Sequence, residues 1–232
     1  MKHIVIPYRH SPYEELRYAL RSIEKNCNFA FDVTIIGEKP QWAKNINHVP
    51  YDDSAHKRYE NLFNKIHIAM DMFEEFIWWH DDEFLLKPQS FEDLKKVYYL
   101  QDLKKVKKFG NRWFQQQLKF FKEEMEKMGL PAYNYCSHTP FYFNSKELKE
   151  TFEFFKIDKE VTFVENYHFN RLGKHDEAIL VYDVKVGKYD KSPFNPKDAE
   201  DKIFANFDEE GLKSGIFDWI KTQFPQKSSF EK

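Results

Sequence analysis

The chain has 232 residues, 41% of them hydrophobic and 18% aromatic against 32% charged, which gives enough apolar bulk for one core and excludes a disordered or fibrous polymer. A net charge of −2 offers no global attraction for nucleic acid or an anionic membrane, so any polyanion must be bound by a local patch. Cys27 and Cys136 lie far apart without CxxC spacing, no window nears the ~20 apolar residues of a membrane span, and the early apolar stretch Ile4-Val5-Ile6 is too short for a signal peptide; a reduced, cytoplasmic protein without a membrane span is expected.

Residues 3–7 are β-branched, apolar and closed by proline, and predict a short buried strand. Ser11-Pro12-Tyr13-Glu14 then offers a capping serine, proline at the first helical position and a glutamate three residues after the cap, the pattern of a capping box that starts a helix. Leu16, Ala19, Leu20 and Ile23 recur at i, i+3, i+4 and i+7, so this helix lays one apolar stripe on a sheet and ends near Asn26. Residues 31–36, stopped by Gly37, predict a second strand and residues 47–51 a third; strand, helix and strand at this spacing make a parallel, right-handed crossover. Leu62, Phe63, Ile66, Ala69, Met70 and Phe73 predict a second amphipathic helix over 57–75, which delivers residues 76–79 as a strand. Helices are expected over 90–100, 112–128 and 145–155, with one or two over 198–223, and strands over 141–143 and 178–186. The fold class is α/β, a single Rossmann-like domain with a mostly parallel central sheet flanked by helices and a helical C-terminal part.

Residues 76–86 read Phe-Ile-Trp-Trp-His-Asp-Asp-Glu-Phe-Leu-Leu. Three consecutive acids, Asp81, Asp82 and Glu83, thus stand between apolar segments at the carboxyl end of a buried strand, where open α/β sheets bind their ligands. Carboxylates enter such a setting when something cationic neutralises them. A divalent metal, Mn²⁺ or Mg²⁺, fits, because it takes oxygen ligands from one or two carboxylates and completes its shell with phosphate and water. On this reading Asp82 is the first choice of ligand, Asp81 and Glu83 hold the ion, its waters or a sugar hydroxyl, and His80 is a further ligand or a structural partner. The competing reading is a solvated turn between two strands.

The order of strand Ile4-Val5-Ile6-Pro7, helix, strand, then Asn64-Lys65-Ile66-His67-Ile68-Ala69 leading into Phe76-Ile77-Trp78-Trp79-His80-Asp81-Asp82 resembles the nucleotide-sugar-binding half of glycosyltransferases of the GT-A fold. In those enzymes an acidic motif after the central strand, often DxD, holds Mn²⁺ or Mg²⁺ on the donor diphosphate. The stretch Glu15-Leu16-Arg17-Tyr18-Ala19-Leu20-Arg21-Ser22-Ile23-Glu24-Lys25 is in addition similar to one in Stealth-type sugar-phosphate transferases, which carry Asn-Asp-Asp where this chain has His80-Asp81-Asp82. The resemblance covers residues 4–88, with His138 and Pro140 as a further echo. Stealth-type proteins follow their first strand with a Trp-containing, Asp-Gly-bearing segment, whereas this chain has Pro7-Tyr8-Arg9-His10-Ser11-Pro12, which favours plain glycosyl transfer over phosphosugar transfer.

The resemblance implies a metal-dependent glycosyltransferase in which residues 1–88 bind a nucleotide-diphosphate sugar, in this class most often a UDP-sugar, and 89–232 supply the acceptor site. Pro7, Tyr8 and Arg9 at the first strand end are candidates for the nucleobase and phosphates, tyrosine by stacking and arginine by bidentate bonding. Arg17 and Arg21, one helical turn apart, and Asn64 and Lys65, one helix before the acids, are further donor-binding candidates, against solvated helix faces. His138, in the polar cluster 133–140, is a candidate for the leaving phosphate, the metal or the acceptor. An inverting transfer needs a carboxylate as general base, and Glu165, Asp176 and Glu177 are the candidates. Finally, Lys95, Lys96, Lys104, Lys105, Lys107, Lys108 and Arg112 face one acid, Asp102, with Tyr98, Tyr99, Phe109 and Trp113 interleaved. This is either a solvated surface or a nucleic-acid patch, and the acceptor is accordingly a glycan or a modified nucleic acid.

Overall fold

A computed structural model describes residues 1–54, 56–157 and 163–232. The chain runs through β1 (Lys2–Tyr8), α1 (Glu15–Asn26), β2 (Phe31–Gly37), β3 (Asn47–Pro50), α2 (Arg58–Met72), β4 (Glu75–Trp78), β5 (Glu83–Leu85) and the single turn α3 (Phe91–Leu94). It continues through β6 (Tyr98–Tyr99), β7 (Gln101–Asp102), α4 (Trp113–Lys127), β8 (Tyr133–Asn134), β9 (Phe141–Asn144), α5 (Ser145–Phe155), α6 (Val164–Arg171) and β10 (Ile179–Leu180), and ends with α7 (Val181–Val184), β11 (Lys185–Lys188), β12 (Phe204–Phe207) and α8 (Ile216–Gln223).

The central sheet has the order β3-β2-β1-β4-β9, parallel except for β9, which runs antiparallel to β4. Side chains alternate across β1, so Ile4 and Ile6 pack with Leu16, Leu20 and Ile23 of α1 on one face. Val5 packs on the other face with Phe63, Ile66 and Met70 of α2 and Leu148 and Phe152 of α5. Covering both faces is why the strands read as unbroken apolar runs. The two halves of the chain share this sheet, since β9 from the second half extends the strand that leads into the acids. A second sheet, β11-β12-β5, carries a separate cluster of Phe84, Ala205, Phe207, Ile216, Phe217 and Ile220.

Four expectations change. The capping box at 11–14 does not form: Pro12 and Tyr13 make a separate turn, the helix starts at Glu15, and Glu14 sits before it with φ 62. Ser11 Oγ instead donates to Glu15 Oε2 at 2.6 Å and accepts from the Tyr13 amide at 3.3 Å. A real capping box occurs at Ser90 and Asp93, but the helix expected over 90–100 lasts one turn, because Tyr98 and Tyr99 enter strand β6. The strand expected over 178–186 is broken in two by α7. Within 198–223, β12 is a strand whose four residues are all buried, and burial on both faces removes the alternation by which a strand is recognised.

Candidate active site

β4 ends at Trp78 and the chain turns at once. The Glu83 amide donates to the His80 carbonyl at 3.3 Å, which closes a tight turn with Asp81 and Asp82 at its tip. Trp79, fully buried, donates from Nε1 to the Glu83 carbonyl at 3.0 Å, and the His80 amide donates to Glu83 Oε2 at 3.2 Å. The three acids therefore divide. Glu83, 1% exposed, folds back to brace the turn and does not join Asp81 and Asp82 on the cleft wall, and its Oε1 has no partner among the described residues. The acids sit in a turn between two strands, and Asp81 and Asp82 of that turn face a cleft.

The cleft has a volume of about 430 Å³. Its polar lining includes Arg58, His80, Asp81, Asp82, His138, Tyr189, Asn206 and Asp208, and its apolar lining includes Leu62, Phe63, Ile66, Phe114, Phe141, Phe143 and Phe163. Burial pushes the Asp81 and Asp82 carboxyls above the usual carboxylate range, and for Asp81 the neighbouring Asp82 and then Glu15 add to it. Arg58, the first residue of α2, draws both back down, and Lys185 does the same for Asp82. Among the described residues no side chain bonds to either carboxylate. Two adjacent, desolvated and incompletely compensated carboxyls fit a divalent ion that carries a diphosphate. Among the described residues no three His, Cys, Asp or Glu side chains converge on one point.

His138 is held in the left-handed region at φ 47, a conformation that costs a non-glycine residue about 1 kcal/mol and marks functional sites when the surroundings enforce it. The enforcement is visible. Ser137 and Thr139 hydroxyls pair at 2.7 Å beneath it, and the Lys185 ammonium donates to the Ser137 carbonyl. His138 opens on the cleft but is ringed by protein, and this burial, with Lys185 next, pushes its ring down to about 3. Burial likewise pushes His80 down to about 4, with Arg58 contributing, and the two neutral rings lie 6.3 Å apart.

Lys185 is the residue that sequence reasoning missed most completely. It is 6% exposed, and its Nζ also donates to the Tyr189 hydroxyl at 3.0 Å, which donates to Asn206 Oδ1 at 2.7 Å. Asn206 is the register partner of Glu83. Burial lowers the Lys185 ammonium to about 8, while Glu83 and Asp82 pull it back up. Arg58 was missed too, because a basic residue at a helix start reads as surface.

Of the three carboxylates expected as general base, the structure brings only Glu165 to the cleft, where burial raises its carboxyl; the neighbouring Cys136 thiol donates to Asn166 Oδ1 at 3.7 Å. Asp176 and Glu177 are surface residues paired with His175 at 3.6 Å and Lys174 at 3.3 Å, apart from the cleft. At the β1 end, Pro7 and Tyr8 are buried, Arg9 is exposed, and burial raises the Tyr8 phenol, with Asp81 among the charges that add to it. Lys65 is 3% exposed and committed to Asp53 Oδ2 at 2.7 Å and the Tyr8 carbonyl at 3.2 Å, while Asn64 donates to the Tyr51 hydroxyl at 2.9 Å. Both brace the strand ends and neither lines the cleft. Arg17 and Arg21 do not line it either: Arg21 donates to both Glu231 oxygens, at 2.7 and 2.8 Å, and Arg17 lies 3.6 Å from the same carboxylate and over the Trp42 ring. They hold the C-terminal tail.

No protein-family model matches the sequence, and comparison with curated proteins finds no match. Among solved structures the chain is similar to the bifunctional glycosyltransferase WbbM in its apo form, with a TM-score of 0.57 and 13% identity over 97% of this chain and 50% of that one. The chain thus spans half the length of WbbM. An active-site variant of LgtC, at TM-score 0.48, 10% identity and 98% of both chains, matches more loosely. So does a glycosyltransferase involved in glycosylation of the major capsid of PBCV-1, at 0.47, 10% identity, 94% of this chain and 98% of that one. The likeness to WbbM is one of fold: this chain shares the α/β fold of part of that protein.

Proposed function

We propose that this chain is a metal-dependent glycosyltransferase that takes a nucleotide-diphosphate sugar, a UDP-sugar first among them, and transfers the sugar to an acceptor hydroxyl. The observation that carries the reading is the turn at the carboxyl end of β4, which presents Asp81 and Asp82, raised in pKa and without bonded countercharge, to a cleft. When bound there by Asp82 and Asp81, Mn²⁺ or Mg²⁺ supplies neutralisation of the charge that develops on the leaving diphosphate.

The protein's own groups complete the site. Arg58 and Lys185 place two fixed cations around the acids, a preorganised field for a phosphate-bearing ligand. The neutral rings of His80 and His138 offer hydrogen bonds to phosphate or sugar oxygens without adding charge. Glu165, its pKa lifted toward working pH by burial, is suited to accept the proton of the acceptor hydroxyl. The apolar lining keeps water from competing with the acceptor. The division into a donor half, 1–88, and an acceptor half, 89–232, is supported by the origin of the two sets, since the acids belong to the first and His138, Glu165 and Lys185 to the second.

The test is UDP-sugar hydrolysis with Mn²⁺. Asp82→Ala is expected to abolish turnover while keeping the melting temperature within a few degrees, and excess EDTA is expected to stop the wild type. Full activity in either case overturns the proposal.

A further inference from the structure

The basic segment singled out in the sequence has no part in the cleft chemistry above, yet it runs straight to the cleft. Residues 103–122 contain seven basic residues and no acid. Three of the seven are satisfied: Lys105 by Asp102 at 3.4 Å, Lys119 by Glu123 at 3.8 Å and Lys122 by Glu126 at 3.7 Å. Upstream, Lys95 and Lys96 are likewise paired, with Glu92 at 2.9 Å and Asp93 at 2.6 Å. Lys104, Lys107, Lys108 and Arg112 are different. All four are exposed, and none has an ion pair among the described residues. In a chain of net charge −2, four uncompensated cations within nine residues form a local positive field.

The row ends in a ring. Trp113 opens α4 half exposed and stacks on Tyr59, with centroids 5.1 Å apart and planes 29° from parallel. Tyr59 lines the cleft, and so does Phe114, which packs edge-on against Phe163. The sequence of features outward from the acids is therefore a cleft, an aromatic stack at its rim and a strip of free cations beyond.

We infer that the acceptor is a single-stranded or locally opened nucleic acid, its phosphates tracked by Lys104, Lys107, Lys108 and Arg112 and one base stacked on Trp113 at the mouth of the cleft. The combination suits this ligand. A neutral glycan has a use for the tryptophan and none for the cations, whereas a nucleic acid strand uses both, through counterion release along its backbone and stacking of its bases. The cleft, with a volume of about 430 Å³, lies within the range of small-ligand sites, and Glu165 in its lining is the group to which an extruded nucleoside brings its hydroxyl. The role as acceptor rests on the glycosyltransferase reading; the binding surface stands without it.

The test is fluorescence anisotropy of the full chain with a fluorescein-labelled, mixed-sequence single-stranded DNA of about 12 nucleotides, titrated from low to physiological salt. Affinity is expected to fall with salt with a logarithmic slope of roughly −3, about 0.7 per neutralised phosphate for four cations. The variant K104A/K107A/K108A is expected to bring the slope to about −1, while K95A/K96A, whose ammonium groups are already paired, leaves it unchanged. Trp113→Ala is expected to weaken binding roughly 5- to 100-fold at fixed salt, and Trp113→Phe to keep most of the affinity, with thermal melts checking that both fold. No salt-dependent binding even at low salt, or equal affinity in wild type and Trp113→Ala, overturns the inference. Oligonucleotide binding in a preparation that turns over no nucleotide sugar overturns the enzyme reading and leaves the nucleic-acid surface in place.

Discussion

His168 shows how much a single buried ring decides. It is 1% exposed in α6, its Nδ1 lies 3.0 Å from Thr151 Oγ1, and Phe143 and Phe169 flank it at 5.3 and 5.1 Å. Burial pushes it from the ordinary histidine value down to about 3. Between about pH 6.5 and 3 the unfolded chain therefore takes up a proton that the folded chain refuses, so the stability that His168 permits is complete above pH 6.5 and is lost as pH falls. Each unit in that window is worth about 1.4 kcal/mol. Urea unfolding at pH 7 and pH 5 is expected to show the wild type losing about 2 kcal/mol more than His168→Gln across that interval. Parallel losses in the two proteins would remove His168 as the cause. Glu165, raised by burial, acts in the opposite sense, which is why the comparison is made against the variant and not read from the wild type alone. At this scale the sequence was legible where charge interrupts an apolar run, as at Asp81 and Asp82. It was not legible where one charge lies at the edge of a buried strand: Lys185 begins β11 beside Asp183 and Lys188, and nothing in the order of residues says that its ammonium points inward.

Among the elements, α1 is fixed from two sides. Its apolar stripe packs on the sheet, and its opposite face is gripped by the tail through Arg21, which donates to Glu231 and, at 3.1 Å, to the Phe224 carbonyl. The Glu231 carboxylate also accepts from the Ser228 amide at 2.9 Å, and its backbone forms a β-bridge with Ala43, so this one residue joins helix, tail and the loop after β2. Glu231→Ala leaves a buried guanidinium without its partner and is expected to cost about 3–5 kcal/mol, with much of it regained in Arg21→Leu/Glu231→Ala, where no charge is stranded. Urea denaturation of the three variants measures it, and a loss under 1 kcal/mol in Glu231→Ala would show that the clamp carries no weight. The strand ends at the donor side are equally tight: at Gly37, φ +134, a Cβ would lie 1.9 Å from the Tyr8 carbonyl oxygen. Gly37→Ala is expected to pull β1 and β2 apart there and lower the melting temperature by several degrees, with the end of β1 at Tyr8 disturbed. Elements with a periodic apolar stripe or a glycine stop were legible; α1, β2, α2 and α4 fall within a few residues of their expected spans. β12 was not, because Phe-Ala-Asn-Phe carries no alternation once both faces are covered.

The molecule as a whole joins two sheets at the cleft. The first delivers the acid turn from β4, the second braces that turn through Glu83 of β5, and the 135–140 turn delivers His138. The order of crossovers made the four parallel strands of the first sheet readable from residues 1–88. The second pairs β5 with β12 across more than a hundred residues, a contact that local pattern does not encode. Lys185 touches all three parts: it holds the Ser137 carbonyl, it holds Tyr189 and through it Asn206 of β12, and it faces Glu83 and Asp82. If it is the common brace, removing it and removing the acid must not cost independently. Lys185→Met leaves Glu83 buried without its nearest cation and the Ser137 carbonyl without its donor, and is expected to destabilise by about 2–4 kcal/mol. Glu83→Gln keeps the shape of the turn while removing the charge, and in that background Lys185→Met is expected to cost less. The coupling in a double-mutant cycle, read from urea unfolding at neutral pH, is then expected at about 1–3 kcal/mol. Strictly additive costs would mean that ammonium and carboxylate do not compensate one another, and that the two sheets meet at the cleft through apolar packing alone.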